Sequence, residues 1–194
     1  KRAGKTAKGG NMLVKDIIAL ACDFTENSDL KKALEENEAL TDEQNVLCDS
    51  LVKCFNLVNN EIASEYIPHI KSETIKTQDF RIDFSNLSYS PCQIISVRDT
   101  AGRKVKFKVF DNYIIAMANV VEVVYTTLPQ ELTLQSQFSS VLPERVYAYG
   151  IAREYYFLQT LFDDADIWEE RFKNTLQVLQ RKRSDTVMPR RRWL

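Results

Sequence analysis

The sequence predicts an α+β fold: a helical bundle, built from a long helix in the first half and a helix hairpin near the end, with an inserted antiparallel β-meander. Three observations carry that expectation. Large apolar residues recur at spacings of three and four through residues 41–66 and again through 143–182, the period of an α-helix with one buried face. Between about residues 74 and 127 the period falls to two, as in half-buried strands. Prolines at 68, 129 and 143 sit where the period changes, and the residue before a proline is pushed out of the helical region.

The bulk numbers agree with one domain, residues 12–182, carrying basic arms at 1–11 and 183–194. A chain of 194 residues can bury one sizeable core but not two independent ones. Hydrophobic residues make up 44% and charged residues 27%, the balance of a water-soluble protein. No run approaches the roughly 20 apolar residues of a bilayer span. Lys1, Arg2, Lys5 and Lys8 have no apolar stretch behind them, so a secretory signal is not expected and a cytoplasmic origin is.

Taken in order, residues 1–11 are polar, glycine-containing and aperiodic, the composition of a flexible arm. Residues 12–23 form a helix with Leu13, Ile17, Leu20 and Ala21 on one face. The acidic stretch from Glu26 to Leu40 has room for a further helical turn or two. Thr41 and Gln44 make a capping box for a helix over 42–66, striped by Leu47, Leu51, Phe55, Val58 and Ile62.

The strand region follows. Phe80, Ile82 and Phe84 alternate with Arg81 and Asp83. Asp99 to Gly102 has turn chemistry, and Val105, Phe107 and Val109 then alternate with Lys104, Lys106 and Lys108. Three lysines on one face cannot be core, so this strand is wet on that side and suits a sheet margin. Asp111-Asn112 is a two-residue turn into Tyr113–Ala116, and Val120–Tyr125 is a β-branched run. Pro143 then opens a helix over 143–162, striped by Tyr147, Ile151, Tyr155, Leu158 and Phe162. Asp163 or Asp164 caps a second helix over 164–182, striped by Trp168, Phe172, Leu176 and Leu179.

Chemistry is sparse. The chain has no phosphate-cradling glycine loop and no nucleophile elbow. Cys22, Cys48, Cys54 and Cys92 include no C-x-x-C, and His69 is the single histidine, so no zinc set is expected and reduced, mostly buried thiols are. The acids Asp163, Asp164 and Asp166 fall at a helix N-terminus, where the dipole alone favours them. No catalytic residue, metal or cofactor is expected.

Charge points instead to partners. The net charge is −1, yet Asp23–Asp49 carries nine acids against two lysines, while Lys1–Lys8 and Arg181–Arg192 are basic. Such asymmetry lets subunits meet through complementary faces. The candidates are Glu35, Glu36 and Glu38 against Lys104, Lys106 and Lys108. Arg190, Arg191, Arg192 and Trp193 form a second candidate site, because Arg and Trp dominate interface hot spots. One other reading of the charge remains, a nucleic-acid-binding module working through the basic tails.

The order of elements resembles the head–tail adaptor (connector) proteins of tailed bacteriophages. The resemblance rests on LPERVYAYGIAREYYFLQTLFDDADIWEERFKNTLQVLQRK, residues 142–182, with Trp168, Phe172 and Leu176 in the family's W-x-x-x-F/Y-x-x-x-L pattern, and on VVYTTLPQELT, residues 123–133. It implies a homo-oligomeric ring, dodecameric in that family, docked on the portal protein in the virion neck after assembly in the host cytoplasm. Such a ring would extend the DNA channel, touch packaged DNA without reading its sequence, and meet the next neck or tail protein. No membrane is involved. Portal-gripping by the C-terminal segment would fall to Arg190, Arg191, Arg192 and Trp193. The alternative that the same likeness leaves open is another phage neck, tail-completion or protein-interaction subunit.

Overall fold

The computed structural model describes residues 10–183, with side chains to residue 180. It is a mixed helix-and-strand protein with antiparallel sheets. The chain folds as two compact units: the described residues up to Val58 together with those from Glu131 onward, and Asn59–Gln130 between them in sequence.

The first unit is helical, with one short ribbon. Strand β1 (Gly10–Leu13) pairs antiparallel with β8 (Gln137–Ser140), Met12 lying opposite Phe138. Helix α1 (Val14–Phe24) follows at once and buries Val14, Ile17, Ile18 and Ala21. The expected helix over 12–23 therefore begins two residues late, and the expected arm over 1–11 gives up Gly10 and Asn11 to the ribbon. Tertiary pairing with a segment far along the chain overrides local period here. Helix α2 (Ser28–Glu36) buries Leu30, Ala33 and Leu34 and ends on Asn37, whose φ of 56° is the left-handed cap that Asn tolerates.

Helix α3 (Asp42–Glu61) opens on the expected reciprocal cap. The Thr41 N–H donates to Gln44 Oε1 at 3.0 Å, and the Gln44 N–H donates to Thr41 Oγ1 at 3.3 Å. Residues Ile62–Tyr66, expected as its last turns, are a π-helical turn instead. Helix α4 (Glu144–Leu158) starts after Pro143, which is its N-cap at φ −71° and ψ 151°. Helix α5 (Phe162–Arg183) begins at Phe162 and not after an Asp cap, so Asp163 and Asp164 lie in its first turn. The α4–α5 hairpin buries Val146, Tyr147, Ile151, Phe172 and Leu176. The rings of Phe55 of α3, Phe138 and Tyr147 form a mutual cluster, with Phe55 5.4 Å from Phe138 and 5.7 Å from Tyr147, and 5.3 Å between the latter two.

The second unit is two small three-stranded sheets. One has β7 (Val120–Thr127) at its centre, flanked by β2 (His69–Lys76) and β4 (Gln93–Asp99). The other has β6 (Tyr113–Ala116) between β3 (Arg81–Asp83) and β5 (Phe107–Val109). This is not the simple meander expected, since only β5 and β6 pair as sequence neighbours. The run Val120–Thr127 explains why. It alternates half-buried and buried along its whole length, so it is the strand that can take a partner on both edges. Ile82, Leu87, Val97, Ile114, Val121 and Val123 form the core between the sheets.

Two further expectations fail locally. Phe80 is not a core strand residue. Asp79 and Phe80 have φ of 50° and 63° and close a two-residue turn, with Gln78 and Arg81 exchanging backbone hydrogen bonds at 2.8 and 3.0 Å. Phe84 likewise leaves the strand and opens a short 3-10 turn. The Asp111-Asn112 turn is the two-residue turn expected, closed by donation from the Phe110 N–H to Tyr113 O at 2.9 Å.

Candidate interaction surface

The predicted lysine face is present in a shorter form. Only Lys108 lies within β5; Lys104 makes an isolated bridge with Arg98, and Lys106 lies in the extended stretch between. All three lysines are exposed, while Val105 and Phe107 between them pack on the sheet core. Val109, expected inward, is 54% exposed, because β5 ends there and the chain turns. The turn that launches this segment is built around Asp99. Its Oδ1 accepts from the Ala101 and Arg103 N–H groups at 2.9 Å, and Arg103 Nε donates to Oδ2 at 2.8 Å. Those bonds favour the ionised carboxylate and hold Asp99 below its ordinary pKa. Gly102 at φ +76° completes the turn.

An open cleft of about 380 Å³ lies between the start of β4 and the end of β5, walled by Phe84, Pro91, Ile94, Val109 and Phe110, with no lysine in its lining. The two strands are zipped next to the turn, where the Val105 N–H donates to Val97 O at 2.9 Å. They splay beyond it, and the cleft fills the splay. Ile94 and Ser96 flank a register shift against β7, which turns Ile95 outward to 45% exposure. Cys92, Gln93 and Asp111 complete the lining. Cys92 is the exposed one of four free thiols; burial pushes Cys22 and Cys54 up to about 12 and raises Cys48 as well.

The predicted acidic partner is less available than the sequence suggests. Glu35, Glu36 and Glu38 are all exposed at the end of α2, but Glu35 lies 3.7 Å from Lys31, which also grips Asp23 at 2.7 Å. No exposed large apolar residue occurs among the described residues from Thr25 to Leu40, so these acids have no sticky surface to accompany. Arg190, Arg191, Arg192 and Trp193 lie outside the described residues.

The surface that the sequence reading missed is the tip of the α4–α5 hairpin. Its connection, Gln159–Leu161, is closed by N–H donations from Gln159 to Tyr155, Thr160 to Phe157 and Leu161 to Tyr156, all near 3 Å, with Thr160 at φ 59°. Around it Phe157, Leu158, Leu161 and Phe162 are 40, 60, 48 and 58% exposed. The stripe drawn from Tyr147 to Phe162 is therefore core only to Ile151. Between Glu154 and Glu170 the sequence holds six acids and no Lys or Arg. A signal was available: aromatics continuing past the acidic turn on both helices.

His69 is at the start of β2, exposed opposite Thr127. Partial burial, with Lys71 adding its charge, lowers its pKa. Glu73 lies four residues along the same strand, about 13 Å away, and is engaged elsewhere: it accepts from the Tyr125 hydroxyl and from Ser88 N and Oγ at 3.1 and 3.0 Å. Among the described residues no group of three or more His, Cys, Asp or Glu side chains converges as a metal site. No described helix is long and apolar enough to cross a membrane. No protein-family model and no curated protein matches this sequence.

Proposed function

We propose that this chain is a structural subunit of a tailed-phage head–tail connector, working by binding other subunits and not by covalent chemistry. In this reading identical copies form a ring docked on the portal. The ring extends the DNA channel and offers its far side to the next neck or tail protein, in a virion assembled in the host cytoplasm. The helical unit is read as the bundle of such an adaptor and Asn59–Gln130 as the β unit inserted into it.

The observation that carries the reading is the exposed tip of the α4–α5 hairpin, the segment whose sequence holds the resemblance. Four large apolar side chains stand together there in solvent. A contiguous patch of that kind, rimmed by charge, marks a surface made to be covered by protein. A ring of identical subunits needs two different faces that fit one another, and the strongly acidic and strongly basic segments supply opposite signs.

Sedimentation with the portal ring encoded by the same genome tests the proposal, full length against a version lacking residues 183–194. Co-migration at ring stoichiometry that persists at physiological salt supports it, and loss on truncation places the portal grip in Arg190, Arg191, Arg192 and Trp193. An absence of co-migration at low and at physiological salt overturns it. Affinity for DNA that collapses between low and moderate salt, without portal binding, favours the nucleic-acid reading instead.

A further inference from the structure

The three-stranded sheet β2-β7-β4 has one closed edge and one open edge. Beyond β4 the chain returns on itself, where Arg98 bridges Lys104 and the Val105 N–H donates to Val97 O at 2.9 Å. Among the described residues no strand lies beyond β2. Yet β2 is a strand of the kind that sheets usually protect: eight residues, paired with β7 without a register shift, and free of proline. We propose that this edge is a subunit interface, at which β2 of one copy pairs antiparallel with β2 of a second copy about a two-fold axis centred on Ser72. The contact is separate from the ring reading, since a two-fold contact closes on itself and does not propagate around a ring.

The phase of the backbone sets what can pair there. The Thr77 N–H donates to Asn119 O at 2.9 Å, and hydrogen-bonded residues alternate along an antiparallel ladder. His69, Lys71, Glu73 and Ile75 therefore bond to β7, opposite Thr127, Tyr125, Val123 and Val121. Ile70, Ser72, Thr74 and Lys76 turn their N–H and C=O groups away from it, and all four are exposed. An incoming strand must match that phase. A second β2 can slide only in steps that keep these outward residues opposite one another.

Charge then selects one of the permitted registers. With Ser72 opposite itself, Ile70 faces Thr74, and Lys71 faces Glu73 on both sides of the axis. One step in either direction sets Lys71 opposite Lys71 or Glu73 opposite Glu73, and like charges directly opposite oppose pairing. Registers further out lose the match and shorten the ladder. A lone lysine on an edge strand discourages pairing; here each lysine is answered by a carboxylate, and in that register alone. Both side chains are already ordered. Lys71 Nζ lies 4.8 Å from the centre of the Tyr89 ring, and Glu73 accepts from the Tyr125 hydroxyl and from Ser88 N and Oγ at 3.1 and 3.0 Å, so pairing costs them little further freedom. Ser72 with Ser72, and Ile70 with Thr74 on either side of it, exchange about six backbone hydrogen bonds. The two sheets become one continuous sheet across both copies.

Cross-linking reads the register directly. In a Cys92→Ser background, which removes the exposed native thiol, Ser72→Cys places two thiols opposite one another with their Cα atoms about 5.5 Å apart, within disulfide reach. Diamide should join them into a covalent dimer: each thiol gives up its hydrogen, one S–S bond forms, and diamide is reduced to the hydrazine. Thr74→Cys in the same background should cross-link at least about ten-fold more slowly, because Thr74 stands opposite Ile70 and far from its own counterpart. Sedimentation of the full chain without the portal should show a dimer. Its dissociation constant should rise several-fold in Lys71→Glu, which sets a carboxylate opposite Glu73. It should rise further in Thr74→Pro, which deletes an outward N–H and leaves the β7 ladder intact, with the urea midpoint of each variant as the check on folding. Cross-linking that is absent or equal at the two positions overturns the contact. So does self-association indifferent to Lys71→Glu and Thr74→Pro, or a chain that stays monomeric at every concentration reached. None of these outcomes bears on docking to the portal, so the ring reading stands or falls separately.

Discussion

Gly150 of α4 lies so close to Val58 of α3 that a methyl group built on it would sit 2.6 Å from one Val58 Cγ and 2.8 Å from the other. Val58 is fully buried and β-branched, so it has little freedom to turn aside. The third neighbour, the Phe172 ring at 3.3 Å, closes the other side. The close approach of two helices is what this glycine permits, at a helix-propensity cost of about 1 kcal/mol relative to alanine.

Gly150→Ala should therefore destabilise the protein in spite of its better propensity. Overpacking costs about 1–3 kcal/mol, which leaves a net loss of roughly 1 kcal/mol once about 1 kcal/mol of propensity is returned. The measurement is the urea midpoint of Gly150→Ala in the natural sequence and in a Val58→Ala background. In the second background the alanine methyl has room and should be neutral or stabilising. The same loss in both backgrounds would show that contact with Val58 is not the cause.

Much of the helical unit was legible because its determinants are local. Thr41 and Gln44 stand three residues apart and cap α3 as their spacing predicts. Tyr147, Ile151, Phe172 and Leu176 fall at helical spacing and are buried. Period says which residues share a face, but not how far the neighbouring element reaches along it. That is why Leu158 and Phe162 read as core and stand in solvent. Pairing between distant segments was less legible still. Met12 finds Phe138 across the ribbon, and Asn56 exchanges 2.9 Å hydrogen bonds with the backbone of Leu132. Neither member of either pair carries a local sign of the other.

The turn at Asp79-Phe80 was missed for a different reason. Turns with two positive φ values are ordinarily announced by Asn-Gly or Asp-Gly, and here a phenylalanine occupies the second position at φ 63°. A side chain with a Cβ in that region is strained by about 1–2 kcal/mol. Phe80 is 43% exposed, so its packing recovers only part of this. Phe80→Gly should raise the unfolding free energy by about 1 kcal/mol, read as a higher urea midpoint with an unchanged slope. A lower midpoint would mean that the exposed ring contributes more by packing than the backbone loses by strain.

The buried hydroxyl of Tyr125 donates to Glu73, and the two groups shift each other. Burial first, and then the carboxylate, push Tyr125 up to about 12. The hydrogen bond from Tyr125, helped by Ser88, holds Glu73 below its ordinary 4.5. A carboxylate depressed on folding stabilises the native state above its unfolded pKa, and that contribution disappears as pH falls through the folded value. Stability from this pair should be full at neutral pH and decline below about pH 4.5. Tyr125→Phe should cost about 1.5 kcal/mol at pH 7, and the difference from the natural sequence should shrink below pH 4. A constant difference across that range would assign the loss to packing and not to the hydrogen bond.

Arg153 is a charged residue placed inside the α4–α5 hairpin. Only 5% exposed, it donates from Nη1 to Glu169 at 2.7 Å and from Nη2 to Glu154 at 2.5 Å, and its guanidinium lies 5.0 Å from the centre of the Phe172 ring. Burial alone would raise Glu169, but Lys173 and Arg153 together hold its carboxyl below the usual value. The arrangement ties α4 to α5 midway between the buried end of the hairpin and its apolar tip. Arg153→Ala leaves Glu169 facing a cavity with one cation fewer, which should cost about 3–5 kcal/mol. Arg153→Met with Glu169→Gln removes both charges while keeping volume, and should recover most of that loss. If the hairpin must be held rigid to meet a neighbouring subunit, the double variant should fold with near-native stability and yet assemble on the portal less well. Light scattering of the portal-bound ring, set beside the urea midpoint of the same variant, measures the two effects separately. Assembly equal to that of the natural sequence would reduce Arg153 to a contributor to stability alone.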